Sequence, residues 1–283
     1  MRPNTTGSGL FSDETTETLP SVMTVRRYLN RIGLDETALE ATDLETLTRL
    51  QYAHITKVPF ENLDIIGDPF SDQDGSGVSL SLLALYEKIV ERGRGGYCFE
   101  LNGLFHWLLA ELGYDIDRVG ARITSGDSIT VPANHHSNIV HLEKDYIVDV
   151  GLGTPKLRQP IPLDGSVVSD DLGIEWRVVE SDRPDATYRT EFFDEQNNDW
   201  TRRYIFDETP RNLLYFEATN DYLQRAPESP FTGSPTVSLG SDRGFLKLST
   251  DTFIEWRNGD KQEHHVPPEQ WYDTLKKEFA IQL

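Results

Sequence analysis

The apolar residues of this chain first change their period at Gly113. Before it they recur at three and four positions, the spacing of amphipathic helices. After it they mostly alternate in twos, the spacing of strands. Helices that come first and strands that follow predict an α+β fold rather than alternating βα units. Val25, Tyr28, Leu29 and Ile32 share one helical face from near Val22, and Gly33 stops that helix. A second helix starts behind Thr42 or Asp43 and runs to about Thr56, with Pro59 after its end. Pro59 to Asp64 reads as a loop. Leu82 to Arg92 reads as a helix capped by Ser79 or Ser81 and closed by Gly93. From Cys98 another helix carries Leu101, Leu104, Phe105, Leu108, Leu109 and Leu112.

Beyond Gly113, Ile116 to Ile123 alternates. Asn138 to Leu142 and Tyr146 to Val150 read as two strands of a hairpin around Glu143-Lys144-Asp145. Glu175 to Val179, Tyr188 to Phe193 and Trp200 to Phe206 are further strand patterns, so this third predicts a β barrel or sandwich. Leu213 to Arg225 returns to helical spacing. Strands are then expected over 236–239, 245–248 and 252–256, and a last helix over Pro268 to Phe279.

Charge narrows the partners. The chain has 27 Lys and Arg against 47 Asp and Glu, a net charge of -20. Phosphate neutralisation needs clustered Lys and Arg, so nucleic acid is an unsuitable partner, and anionic membrane surfaces are disfavoured too. No basic stretch followed by an apolar run opens the chain, and no apolar run is long enough to span a bilayer. A soluble cytoplasmic protein is expected.

Arg94-Gly95-Gly96-Tyr97-Cys98-Phe99-Glu100-Leu101-Asn102 holds the only cysteine, so no internal disulfide can form. A lone Cys with histidines elsewhere is a candidate nucleophile. A thiol is mostly protonated at pH 7. Its position at a helix start should favour the thiolate, and a histidine could take its proton. The amides of Gly95 and Gly96, with that of Cys98 or Phe99, are candidates for an oxyanion hole. The plainer reading is that Cys98 is a small buried hydrophobe.

Of the seven histidines, His54 and His106 fall in helices and read as packing or surface residues. His264 and His265 read as an exposed turn. His135 and His136 precede a strand whose hairpin partner ends in Asp149, flanked by Val148 and Val150. A carboxylate there could orient an imidazole, or could simply cap the Gly151 turn. A metal is a weaker reading, because no second Cys and no HxxxH or HxH spacing is present. No GxxxxGK phosphate loop occurs.

These residues resemble the arylamine N-acetyltransferase family. The 94–102 stretch is similar to its RGG-x-C-x-E-x-N signature. Tyr146-Ile147-Val148-Asp149-Val150-Gly151-Leu152-Gly153 resembles its aspartate motif, and Pro59-Phe60-Glu61-Asn62-Leu63 its P-F-E-N-L loop. Tyr28 to Leu34 resembles its first helix, and Ser229-Pro230-Phe231 also fits. His135-His136-Ser137-Asn138-Ile139-Val140 matches H-x-x-N-I-V with His135 in the catalytic place, one residue nearer the aspartate than the family leads one to expect; His136 is the alternative.

The resemblance covers about residues 25 to 255. It implies a three-part fold with a cysteine-protease-like Cys-His-Asp core: a helical bundle over 21–113 with Cys98, a β barrel over 114–210 with His135 and Asp149, and an α/β lid over 211–283; residues 1–20, rich in Thr, Ser, Gly and acids, read as a flexible tail from composition. It implies a Cys98–His135–Asp149 triad, no bound cofactor, and acetyl-CoA as cosubstrate with an arylamine or arylhydrazine acceptor in ping-pong order. CoA is a polyanion, so a local basic cluster is expected; Arg94, Arg243 and Lys247 are the candidates. The alternatives are a related acyltransferase or an amide synthase or hydrolase using the same triad on a different acyl donor, and a catalytically silent binding protein.

Overall fold

The computed structural model describes residues 23–35, 39, 41–125, 128–257 and 259–283. The expected tail over 1–20 lies outside them. The first third is helical. It contains α1 (Val25–Arg31), α2 (Leu44–Lys57), the short strand β1 (Phe60–Glu61), α3 (Leu63–Ile66), α4 (Leu82–Tyr86) and α5 (Cys98–Glu111). Thr24 caps α1 through its hydroxyl, and Asp43 caps α2, accepting from the Thr46 amide at 2.9 Å. The helix expected over 82–92 continues from α4 into a single wider π turn over Glu87–Glu91. Tyr28, Leu50, Tyr86, Phe105 and Leu108 pack between the helices as one core.

The expected loop at 59–64 is a correction. Phe60 pairs with Ser238 and Glu61 with Val237, so β1 is the edge strand of a sheet built at the far end of the chain. Two paired residues are too few for an alternating pattern, so nothing in the local sequence announces them.

The central part follows. It comprises β2 (Asp115–Ser125), β3 (Ser128–Ile129), β4 (His135–His141), β5 (Asp145–Val148), β6 (Ile161–Pro162), β7 (Val168–Ser169), β8 (Glu175–Glu180), β9 (Tyr188–Asp194) and β10 (Asp199–Pro210). Their order across the sheet is β6-β5-β4-β2-β10-β9-β8-β7, with β3 paired to β2. The sheet curls until β6 approaches β8, which nearly closes a barrel. Val119, Ile139, Ile147, Trp176, Tyr204 and Phe206 fill it.

A 3-10 turn over Leu213–Phe216 leads into α6 (Glu217–Arg225). Then β11 (Val237–Ser241), β12 (Gly244–Leu248), β13 (Thr252–Arg257) and β14 (Asp260–His265) form an antiparallel sheet with β1, covered by α7 (Pro268–Phe279). Trp271, Leu275 and Phe279 bury the helix on Val237 and Leu248. His264 and His265 are therefore not in a turn. They pair with Phe253 and Thr252 on an edge strand whose six residues are all exposed. A polar edge of this kind resists pairing with another chain, and its lack of apolar alternation hides it from a sequence reading.

A buried ion network braces the bundle beneath α5. Arg94 bonds Glu61 through Nε (3.1 Å) and Nη2 (2.8 Å), and Asp64 through Nη2 (2.9 Å). Lys88 Nζ meets Glu100 at 2.7 Å, Asp64 at 3.1 Å and Glu61 at 3.8 Å. These three carboxylates outweigh burial and hold the Lys88 amine well above its ordinary value. Replacing Arg94 by Met leaves three buried carboxylates facing one cation. Breaking one partner of such a network costs about 3–5 kcal/mol. The melting temperature should fall by on the order of 10 °C, read by calorimetry or circular dichroism; a fall under about 2 °C would contradict the network's role.

A second cluster closes the β4–β5 hairpin. His141 Nδ1 meets Asp145 Oδ1 at 2.7 Å, and Nε2 meets Asp117 Oδ2 at 3.2 Å. Burial opposes protonation, but the two carboxylates win and raise the His141 pKa. The stabilisation is thus fully present below the unfolded value near 6.5. It is lost as pH rises through the raised folded value. Both partners are half-exposed, so the effect is under about 1 kcal/mol. His141→Gln should lower the urea midpoint at pH 6 and leave it unchanged at pH 9.

Candidate active site

Cys98 is the first residue of α5. The N-cap is Tyr97, whose amide donates to Glu100 Oε2 at 2.9 Å, so the carboxylate three residues on folds back over the helix start. The two glycines before it are needed for close approach. A Cβ on Gly95 would collide with the Pro59 carbonyl, and one on Gly96 would stand 2.8 Å from Glu100 Cβ. The Gly96 amide donates to the Pro59 carbonyl at 3.2 Å. It is therefore withdrawn from the oxyanion-hole candidates. The amides of Cys98 and Phe99 favour the thiolate at the helix start.

Cys98 is 3 % exposed. Burial, helped by the nearby Asp149 carboxylate, pushes its thiol well above the ordinary value and outweighs the two amides. The expectation that the helix start lowers this pKa is thus corrected: desolvation disfavours the charged form more than two amide dipoles favour it. The sulfur lies 3.8 Å from the Asn134 carbonyl, which brings the start of β4 against it.

His135 and His136 are adjacent on β4, and successive strand residues face opposite sides. Only one of them can reach Asp149. His135 Nε2 meets Asp149 Oδ2 at 2.6 Å, with both groups buried. That leaves Nδ1 as the ring nitrogen Asp149 does not engage. Tyr204 packs on the same ring, at 5.3 Å between centroids. His136 points the other way and stacks on Phe216 at 4.9 Å. Neither of its ring nitrogens is hydrogen-bonded, and burial holds its pKa well below the ordinary value.

Asp149 follows β5. Burial opposes its ionisation, yet its pKa is lowered, because His135, Asn102 and Gly151 all favour the carboxylate. Asn102 Nδ2 and the Gly151 amide each donate to Oδ1 at 2.8 Å. Asn102 also accepts from the Val150 amide at 2.8 Å. A Cβ on Gly151 would stand 2.8 Å from Cys98 Cα, so this loop lies directly on the nucleophile's backbone. Asn102 is a site residue that periodicity and charge do not mark. Its signal was its place four residues after Cys98, on the same helix face.

The basic candidates for CoA fare unequally. Arg94 is held in the buried ion network by Glu61 and Asp64, and these two carboxylates already answer the charge that a phosphate would seek. Arg243 lines a cleft of about 900 Å³ between the barrel and the last sheet, whereas Lys247, on β12, does not. The residues around this cleft include Lys156, Arg158, Phe193 and Trp256, but neither Cys98 nor His135. No helix among the described residues is long and apolar enough to cross a membrane.

The family model described as N-acetyltransferase matches residues 43–283. An arylamine N-acetyltransferase of Mycolicibacterium smegmatis is 32 % identical over 265 residues, covering 90 % of this chain and 91 % of that one. An arylamine N-acetyltransferase from Bacillus cereus, described as having a unique Cys-His-Glu catalytic triad, superposes with a TM-score of 0.81 at 25 % identity. The alignment covers 92 % of this chain and all of the Bacillus one. The Mycobacterium marinum arylamine N-acetyltransferase, solved in complex with CoA, gives a TM-score of 0.78 at 28 % identity, covering 91 % and 93 %. A match over this much of the sequence, on the same fold, means that the chain belongs to the arylamine N-acetyltransferase family and is an acyltransferase.

Proposed function

We propose that this enzyme transfers the acetyl group of acetyl-CoA to an aromatic amine or hydrazine through an acetyl-Cys98 intermediate. The observation that carries the reading is the 2.6 Å contact of His135 Nε2 with Asp149, with the buried Cys98 sulfur 3.8 Å from the carbonyl of the preceding Asn134. Asp149 fixes the imidazole so that Nδ1 is the proton acceptor. The Cys98 thiol gives its proton to Nδ1, and the thiolate attacks the thioester carbonyl carbon. The amides of Cys98 and Phe99 receive the developing oxyanion. The bond to the CoA sulfur breaks, and His135 returns the proton to the departing thiolate. In the second half the acceptor nitrogen attacks acetyl-Cys98 and loses its proton to His135. The Cys98 sulfur leaves as thiolate and is reprotonated.

Burial of the thiol suits this order. A sulfur that resists ionisation on its own becomes nucleophilic only as the imidazole takes its proton. The third residue is an aspartate here, held by three donors rather than one. CoA complexed to the M. marinum relative supports the donor, and the relatives' names support the acceptor class. The test is mass spectrometry after incubation with acetyl-CoA alone. One acetyl group should appear on the Cys98 peptide with one equivalent of CoA released, and an aromatic amine should then discharge it. No adduct and no CoA release would overturn the proposal.

A further inference from the structure

The charges that meet beneath the start of α5 do not cancel. Lys88 and Arg94 supply two cations, and Glu61, Asp64 and Glu100 supply three carboxylates. They come from separate segments: Glu61 from β1, Asp64 from α3, Lys88 from the π turn after α4, Arg94 from the glycine loop and Glu100 from α5. Arg31, the next cation, is taken up by the backbone carbonyls of Lys57, Ile89, Gly93 and Arg94. Asp64 is the least buried member, with 13 % of its side chain exposed, so water does little to screen an excess charge. A buried group without a counter-ion changes its protonation state rather than stay charged. One carboxylate in excess therefore calls for one proton.

The contacts decide which carboxylate keeps it. Arg94 donates to both Glu61 and Asp64, and the Leu63 amide donates to the other oxygen of Glu61 at 2.7 Å. Burial opposes the Asp64 charge, but Lys88 and Arg94 together lower its pKa. Glu100 has one cation, Lys88 at 2.7 Å, and Lys88 also serves Asp64 and Glu61. Burial, with the Glu61 carboxylate, pushes Glu100 up to about 7 against the pull of Lys88 and the Tyr97 amide. Glu100 shares the first turn of α5 with Cys98. Its Oε2 accepts from the Tyr97 amide at 2.9 Å. An N–Cα bond of about 1.5 Å and a Cα–Cα step of about 3.8 Å put that oxygen within about 8 Å of Cys98 Cα. Its negative charge acts on the thiol in the same sense as Asp149, upward. Oε2 is an acceptor in either form of the carboxyl, so the cap persists and only the charge changes.

We infer that Glu100 holds a proton in the working enzyme, and that losing it places a buried negative charge beside the Cys98 thiolate and slows the reaction of that sulfur. The inference rests on the acetyl-transfer reading above only for the acyl donor. Glu100 touches no reacting atom and acts through Cys98 as a positioning residue. The groups that face it are Lys88, Arg94, Glu61 and Asp64 from the other segments, with Cys98 and the Tyr97 phenol on its own. With the proton in place two cations answer two carboxylates. Without it the network is negative and opposes the thiolate. One charge at this separation, at the effective dielectric of a protein site, moves an ionisation about tenfold. The same proton is linked to folding. An unfolded Glu ionises near 4.3, so between there and about 7 the folded chain holds a proton that the unfolded chain has lost. Its stabilisation is full below the unfolded value and is lost as pH rises through the folded one.

Cys98 is the only cysteine, so iodoacetamide reads its reactivity without an acyl donor. The experiment measures the rates of alkylation by iodoacetamide and of acetylation by acetyl-CoA, at pH values on both sides of 7, in the wild type and Glu100→Gln. The variant keeps an acceptor for the Tyr97 amide and leaves two cations facing two carboxylates. The ratio of its rate to that of the wild type should rise about tenfold as pH increases through about 7, with both reagents. On a Glu61→Gln background Glu100 gives up its proton more readily, so the rise should come at lower pH. The melting temperature of the wild type should fall relative to Glu100→Gln over the same interval. Infrared spectra of wild-type protein carrying isotope-labelled glutamate supply a readout that needs no variant to fold: a protonated-carboxyl band should be present below pH 7 and fade above it. A flat rate ratio, or no such band, would overturn the inference. So would a ratio that rises for acetyl-CoA and stays flat for iodoacetamide, which would place the charge's effect on the donor and not on the sulfur. If wild-type Cys98 never carries acetyl while the alkylation ratio rises, the acetyl-transfer reading fails and the role of Glu100 stands.

Discussion

Cys98→Ser should form no adduct with acetyl-CoA and should lose at least about 10⁴-fold in kcat/KM. The exchange swaps sulfur for oxygen and little else. Cys98 is 3 % exposed against Gly151 and the start of α5, and a hydroxyl fits where a thiol did. The chemistry changes far more than the shape. Burial and Asp149 already push the thiol up, and the same surroundings act on a hydroxyl whose proton is held far more tightly to begin with. The imidazole then has no proton it can readily take. Melting should shift by less than about 3 °C, so the loss reads as chemistry and not unfolding. An adduct on any other residue, in either protein, would move the nucleophile away from Cys98.

The second large effect separates two neighbours. His135→Ala should slow Cys98 acetylation by about 10³-fold, within the range of a lost general base. His136→Ala should acetylate at a rate within about fivefold of the wild type and instead lose about 1–3 kcal/mol of stability from the cavity left beside Phe216. A time course of adduct formation and a urea titration on each variant give both numbers. If His136→Ala alone abolishes acetylation, the roles are reversed. The strand geometry argues against reversal, because turning His136 toward Asp149 needs a one-residue slip of β4. Such a slip would turn Ile139, which packs inside the barrel, outward.

The two histidines also mark the limit of what the chain discloses on its own. Periodicity and a local motif locate Cys98, and the hairpin spacing brings two histidines and Asp149 within range. Which histidine meets the carboxylate depends on strand phase, and a two-residue choice at a strand start is invisible until the register Asn138 to Val148 is known. The thiol's resistance to ionisation was unreadable for a different reason. The helix start is a local feature, but burial is made by segments far away, and burial is the larger effect. Arg94 misled as a phosphate contact because its partners, Glu61 and Asp64, come from a segment that looked like a loop. The helices themselves, with Asp43 capping α2 and Gly113 ending α5, needed no such long-range information.

The pairing of β1 with β11 has a consequence for the chain as it is being made. Phe60 finds Ser238 only after nearly 180 further residues have left the ribosome. Asn62 waits equally long for the carbonyls of Phe231 and Ser234, to which it donates at 2.9 Å. Tyr97, next to the nucleophile, bonds Asn220. Helices tend to form early and from the N-terminal end, so the segment bearing Cys98 is coiled long before its surroundings exist. A nascent chain halted before residue 215 holds the sulfur, the imidazole and the carboxylate but lacks the last sheet that fixes the Pro59–Gly96 approach. The native setting of the Cys98 helix start is thereby completed only once the segment through Ser238 has been made.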